Sequence, residues 1–352
     1  MAGLLRRNDT GVGTVCLFVD PARQQDAVAL RALMAVEVIV AVTVILVNAF
    51  TIAAIWPRRW RRSTQSSLFV LHLAFADFLC GLAKLVIFVF MSDCAAAELA
   101  SVHETACLGP VIFICFAWTL SATTLAAIAV DRYVCIVHSL RYYEFLTTRR
   151  VCVILASLWG FSALCGLLYL PTWEWQEGRF CEEQNLFPEW HLYAVQIPIS
   201  MLVLLVVAAT HIAIRSEVKR NNARCWTAGH AGLRLPSSKS ASVRSAKVTV
   251  LVVSSFIMGY LPLAVFQVLL HSAFQDHVAV AHWDFHVVSV SSSLWYLLNP
   301  FIYAWKNASI RQDMVTLWRR LVGGALCCSS FRTEDETSFA GSRTSPTEAR
   351  RF

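Results

Sequence analysis

Seven separate stretches of this chain are apolar for long enough to cross a bilayer: approximately 32–56, 67–91, 106–137, 150–172, 190–214, 246–271 and 284–305 (spans 1 to 7). A membrane helix needs roughly 20 mostly apolar residues. Backbone inside hydrocarbon has no water to bond, so a spanning segment must be a helix or part of a closed barrel. A barrel is excluded, because no ten-residue alternating segments recur. Of 352 residues, 57% are hydrophobic and 15% charged, more apolar surface than a soluble core of this length buries. An ordinary cytoplasmic enzyme, a disulfide-rich secreted module and a disordered chain are therefore ruled out. With no internal repeat and no inverted halves, a transporter is also disfavoured. The expected fold is an all-α membrane protein, a seven-transmembrane helix bundle.

Charge placement orients the bundle. The start, MAGLLRRNDTGVGTVCLFVD, lacks the continuous apolar core of a signal peptide. Arg58, Arg59, Arg61 and Arg62 follow span 1 at once, while Arg31 alone stands at its front edge. The positive-inside rule then puts the amino terminus outside and, after seven crossings, the carboxyl terminus in the cytoplasm. Most of the other Lys and Arg fall in the loops after spans 3 and 5 and in the tail; acids such as Asp93, Glu98, Glu182 and Glu183 gather on the outside. The net charge of +7 is thus a cytoplasmic-leaflet signature, and nucleic acid is not a partner. Four regions result: 1–31 as an extracellular amino terminus, 32–305 as the bundle, 306–328 as an amphipathic helix with a lipidation site, and 329–352 as a disordered cytoplasmic tail.

Polar groups inside the spans carry the functional argument, since charge in a membrane helix is expensive. Asn48 lies in span 1, Asp77 in span 2, Asp131-Arg132-Tyr133 at the inner end of span 3, Trp159 in span 4, Pro262 in span 6 and Asn299-Pro300-Phe301-Ile302-Tyr303 in span 7. Each alone has an ordinary explanation as a cap, a kink or an interfacial aromatic. In this order, each in its own span, they resemble the pattern of rhodopsin-like G-protein-coupled receptors. The resemblance covers about 290 residues and includes Leu73-Ala74-Phe75-Ala76-Asp77, Phe256 with Pro262, and 24 residues between Cys107 and Arg132.

The resemblance implies a receptor that transduces an extracellular ligand to heterotrimeric G proteins, with arrestin and receptor kinases as further partners. Arg132 would pair with Asp131 in the closed bundle and turn inward on opening to meet a G-protein helix tail, whose carbonyls favour a cation. Phe256, Tyr260 and Pro262 would form the span 6 switch, and Asn299, Pro300 and Tyr303 that of span 7. Tyr260 stands where the family carries a Trp. Asn48, Asp77, Ser121 and Trp159 would make the polar core of the bundle. Asp77 and Ser121 keep part of a sodium pocket, but Trp295 and Tyr296 replace its usual polar partners, so no cofactor is expected. The family joins Cys107 to Cys181. Cys80, Cys115, Cys135, Cys152 and Cys165 read as apolar filler. Ser242 stands where an acid often locks the span 3 arginine, which predicts agonist-free signalling.

Within the family the inner segments, LAAIAVDRYVCIVHSLRYYEFLTTRR and NPFIYAW, are similar to those of adenosine receptors, as is Ala35-Val36-Glu37. The ligand positions differ: Gln267, Ser293 and Glu183-Gln184 stand at them. Ile114 in place of an acid argues against an amine ligand, and Ser293 in place of a lysine excludes retinal. A peptide, lipid or other small molecule remains. Glu37 and Lys84 are charges in the outer half, expected to pair with each other, or to line the pocket with Ile114, Cys115, Trp118, Tyr260, Gln267, His286 and Ser293, with Lys84 snorkelling to the outer interface as the third alternative. Asn8 begins a glycosylation sequon on the outside. Cys327 and Cys328 end an amphipathic stretch, 310–326, that would lie on the inner leaflet and be palmitoylated. The competing functional reading is a non-signalling or constitutively active orphan receptor acting as partner or decoy. An intramembrane enzyme would need paired acids, a histidine box or a zinc motif within the spans, so no catalytic or metal site is expected.

Overall fold

The computed structural model describes residues 24–58, 65–92, 103–168, 170–172, 189–227, 278–306 and 308–331. Among these, every regular element is helical, as lipid demands of backbone without a closed barrel. Span 1 is Gln24–Ile55, span 2 Gln65–Ser92, span 3 Glu104–Val137, span 4 Thr148–Leu167 and span 7 Val278–Lys306. Span 5 runs from Glu189–His191 through a π-helical turn, Leu192–Gln196, into Ile197–Thr227. Five of these are long and apolar enough to cross a membrane over their described residues: spans 1 to 5. Span 6 lies outside the described residues.

Several helix ends differ from the sequence expectation for identifiable reasons. Span 4, expected to reach residue 172, stops at Leu167 and gives way to a 3-10 turn, Leu170–Thr172. Pro171 lies in that turn, and the residue before a proline is driven out of the α region. In span 5, Pro198 has no N–H to offer the carbonyl of Ala194, and the backbone widens into the π turn just before it. The tail helix, expected over 310–326, is longer: Ala308–Phe331. It carries Cys327 and Cys328, and it removes residues 329–331 from the segment expected to be disordered.

Span 3 is the central post, packed against spans 2, 4 and 5, while span 1 packs against spans 2 and 7 and the tail helix. The core between them is built from Leu73, Leu125, Ile128, Val151 and Val203, all buried. The outer surface inverts the rule for soluble proteins. Ile39, Leu46, Leu205 and Ile212 are each more than 60% exposed, and only lipid makes that arrangement cheap. Gly81 lets spans 1 and 2 meet closely: a Cβ there would stand 2.9 Å from Ile45 Cγ1 and 3.2 Å from the Ala41 carbonyl oxygen.

Candidate functional site

At the inner end of span 3, Asp131 is a fully buried carboxylate with three partners. The Arg132 guanidinium lies 3.4 Å from Oδ2. Ser66, in the first turn of span 2, donates to Oδ2 at 2.9 Å. Tyr142 donates to Oδ1 at 2.7 Å from a one-turn helix, Tyr142–Phe145, in the loop after span 3. Burial, with the charge of Asp131 beside it, pushes the Tyr142 phenol well above its ordinary range, so it remains a donor at every physiological pH. Arg150 fixes this small helix by donating to the carbonyls of Glu144 and Phe145 at 2.6 and 3.1 Å. Tyr133 turns away and meets His138 edge-on, 5.8 Å between ring centres. The closed pairing expected of Asp131 and Arg132 is therefore present, and two neutral hydroxyls share the carboxylate.

Midway along the bundle Asp77 is inaccessible to solvent. Ser121 donates to its Oδ1 at 2.5 Å and Asn299 to its Oδ2 at 2.8 Å, so spans 2, 3 and 7 meet at one carboxylate. Asn48 ties span 1 to the same level through its amide, which donates to the carbonyls of Val44 at 2.9 Å and Tyr296 at 3.2 Å. Trp295 and Tyr296 are buried beside this group. Pro300 is inside the span 7 helix, and the buried Tyr303 hydroxyl has no hydrogen-bond partner among the described residues.

Trp159 is a correction. It was expected in the polar core, but it sits 38% exposed on the lipid-facing side of span 4. Its ring packs on Phe75 and Phe116, and its indole N–H turns inward to donate to Nε2 of His72 at 2.8 Å. The neutral ring then carries its proton on Nδ1, 3.1 Å from Thr124 Oγ1. Spans 2, 3 and 4 are thus joined through a histidine that sequence reasoning passed over.

In the other half of the bundle Lys84 reaches across to span 7 and donates to Ser292 at 2.9 Å and Ser293 at 2.7 Å. Glu37 of span 1 acts on it electrostatically. Lys84 and Ser293, expected in one pocket, therefore meet directly, and Ser292 joins them. Cys115 is drawn elsewhere: it packs with Cys107, Leu108 and Val111, and the Gln196 amide approaches its sulfur at 4.0 Å. Ile114 and Trp118 are half-buried, Ile114 against the same packing. Cys107 is disulfide-bonded, while Cys80, Cys115, Cys135, Cys152 and Cys165 are free thiols. Asn8, Cys181, Ser242, Phe256, Tyr260, Pro262 and Gln267 lie outside the described residues, as does the side chain of His286.

Comparison with known proteins identifies the family. The family model for 7 transmembrane receptors of the rhodopsin family matches residues 47–303. Melanocortin receptor 5 of Bos taurus is 26% identical over 317 residues, covering 85% of this chain and 86% of that receptor. Adenosine receptor A2a of Homo sapiens is 26% identical over 302 residues, covering 79% and 69%. The two relatives carry names of different ligands, so likeness to them does not select one.

Proposed function

This chain belongs to the rhodopsin family of seven-transmembrane receptors, and on that premise we propose that it passes an extracellular signal to heterotrimeric G proteins through the Arg132 end of span 3. It is a multi-pass plasma-membrane receptor and not an enzyme. The amino terminus lies outside, glycosylated at Asn8, and the carboxyl terminus inside. A Cys107–Cys181 bridge holds the second outer loop across the ligand entrance. Arrestin and receptor kinases act on the Ser/Thr-rich tail.

The observation that carries the reading is the Asp131 cluster. A single carboxylate binds Arg132, Ser66 and Tyr142 in one place. Arg132 holds that carboxylate at 3.4 Å while 22% of its side chain stays exposed, so it is poised to leave. Once released, it presents a cation to the carboxyl end of a G-protein helix, where unpaired carbonyls attract positive charge. Two residues before Tyr142, Leu140 is 99% exposed, an apolar side chain that a docked partner would cover. Asp77 and Asn299 link this end to the ligand half through the middle of the bundle.

The test is Arg132→Ala. Receptor reaching the cell surface in normal amount should lose G-protein activation, read as nucleotide exchange with a panel of G proteins in nanodiscs. Undiminished exchange by that variant would refute the assignment.

A further inference from the structure

We propose that Arg150, in the first turn of span 4, is the positioning residue that keeps Tyr142 on Asp131 and so sets how readily Arg132 is released without a ligand. The proposal rests on the reading of Arg132 as the G-protein contact and adds the residue that governs its restraint.

A helix of four residues, Tyr142–Phe145, does not hold itself. Fixing a first turn costs more conformational freedom than its few bonds return. Those bonds run from the N–H groups of Glu144 and Phe145 to the Arg141 carbonyl, at 3.0 and 3.1 Å, and from the Leu146 N–H to the Tyr142 carbonyl at 2.9 Å. The chain leaves the helix at Leu146, with φ −115° and ψ 74°, and is extended at Thr147. The carbonyls of Glu144 and Phe145 are thereby cut off from the amides that a longer helix would offer them. Arg150 supplies the donor instead: its Nη1 meets the two oxygens at 2.6 and 3.1 Å. A cation at the carboxyl end of a helix also suits the helix dipole.

Arg150 can do this because its own backbone is fixed. Its N–H donates to Oγ1 of Thr147, the N-cap of span 4, at 3.4 Å, and the neighbouring Val151 is inaccessible to solvent. The arginine thus ties the loop helix to a framework helix. From that loop helix the Tyr142 hydroxyl reaches Asp131 at 2.7 Å and lies 3.2 Å from Ser66. Tyr142 and Leu146 are buried, and Phe145 meets the His138 ring at 5.9 Å between centres. Arg150 holds the backbone that orients all three.

A buried carboxylate is costly unless its lone pairs are satisfied. When the loop helix loosens, Asp131 loses the Tyr142 donor, the closed arrangement loses stability, and Arg132 is freed more often. Arg149 provides the contrast within the same turn. It carries the same charge and is exposed, yet it makes no hydrogen bond or ion pair among the described residues.

The test uses the full-length receptor in nanodiscs and two measurements at equal receptor amount: hydrogen exchange of the peptide 141–147 by mass spectrometry, and agonist-free nucleotide exchange on a panel of G proteins. Arg150→Met keeps the apolar stem and removes the donors. It should speed hydrogen exchange in the loop and raise agonist-free nucleotide exchange several-fold. Arg150→Lys retains a donor and should restore most of both, while Arg149→Met should match the native receptor. Added to Tyr142→Phe, Arg150→Met should raise nucleotide exchange no further, because the bond it protects is already gone. The proposal is overturned if Arg150→Met leaves either measurement unchanged or lowers nucleotide exchange. It is also overturned if lysine restores nothing, if Arg149→Met behaves like Arg150→Met, or if the effects of Arg150→Met and Tyr142→Phe multiply. A native receptor that activates G protein at a rate indifferent to Arg150 overturns this proposal alone. Loop exchange that responds as expected, with no G protein activated by any variant or by the native receptor, overturns the signalling reading beneath it.

Discussion

Tyr142 shows how a single hydroxyl can set a receptor's resting state. Its bond to Asp131 is made from a loop, so it holds the carboxylate only while that loop stays docked against span 3. A hydrogen bond to a charged group contributes roughly 1.5–3 kcal/mol. Tyr142→Phe should therefore release part of the closed population, and agonist-free nucleotide exchange should rise several-fold. An unchanged basal rate at equal surface density would show that the phenol is a bystander. Asp131, Asp77 and Asn299 were legible in the sequence because a charge or amide in the middle of an apolar run has few other uses. Ser66, Ser292 and His72 were not. A serine or threonine in a helix can satisfy itself on its own backbone, as Thr51 does on Val47 at 2.8 Å. Nothing in the one-dimensional pattern says which hydroxyl instead crosses to a neighbour. Lys84 and Ser293 were expected in one pocket, yet their direct bond depended on the relative rotation of two helices far apart in the chain.

Between helices, glycine decides how near two axes come. Gly81 has the Ala41 carbonyl oxygen and the side chains of Val44 and Ile45 against it, and Gly166 has the Ile112 carbonyl oxygen 3.0 Å from where its Cβ would lie. Gly160, in span 4 six residues before Gly166, meets nothing within 4 Å. Overpacking a close contact typically costs about 1–3 kcal/mol. Gly81→Leu should accordingly lower the melting temperature of the purified receptor and its surface expression, while Gly160→Leu should leave both near the native values. Equal loss in the two variants would mean that the 1–2 contact is looser than the geometry requires. Periodicity and length gave the existence of the spans reliably, but their ends were set by local chemistry. Pro171 truncates span 4, and Pro198 opens span 5 into a π turn that no apolar run announces.

Taken whole, the bundle is braced by its tail helix, Ala308–Phe331, which packs against spans 1 and 7. The tail helix seats Ile310 in the core and leaves Val315, Trp318, Leu321 and Val322 facing outward, with Arg319 and Arg320 exposed among them. This is the distribution of a helix suited to a bilayer surface, and the cysteine pair stands in its last turns. Palmitate on Cys327 and Cys328 should be released by hydroxylamine from the native receptor and not from a Cys327→Ser, Cys328→Ser variant. Failure to detect any thioester would leave the helix anchored by its apolar side chains alone. The polar contacts of spans 2 and 7 have a mechanical consequence as well. Three hydrogen bonds, from Asn299 to Asp77 and from Lys84 to Ser292 and Ser293, hold the same seam at two levels, so axial sliding of one helix past the other must break them together. Span 3 meets span 5 chiefly through apolar contacts that have no such registry. The bundle therefore has a toothed side and a greased side: friction is high between spans 2 and 7, and small continuous shear is accommodated between spans 3 and 5.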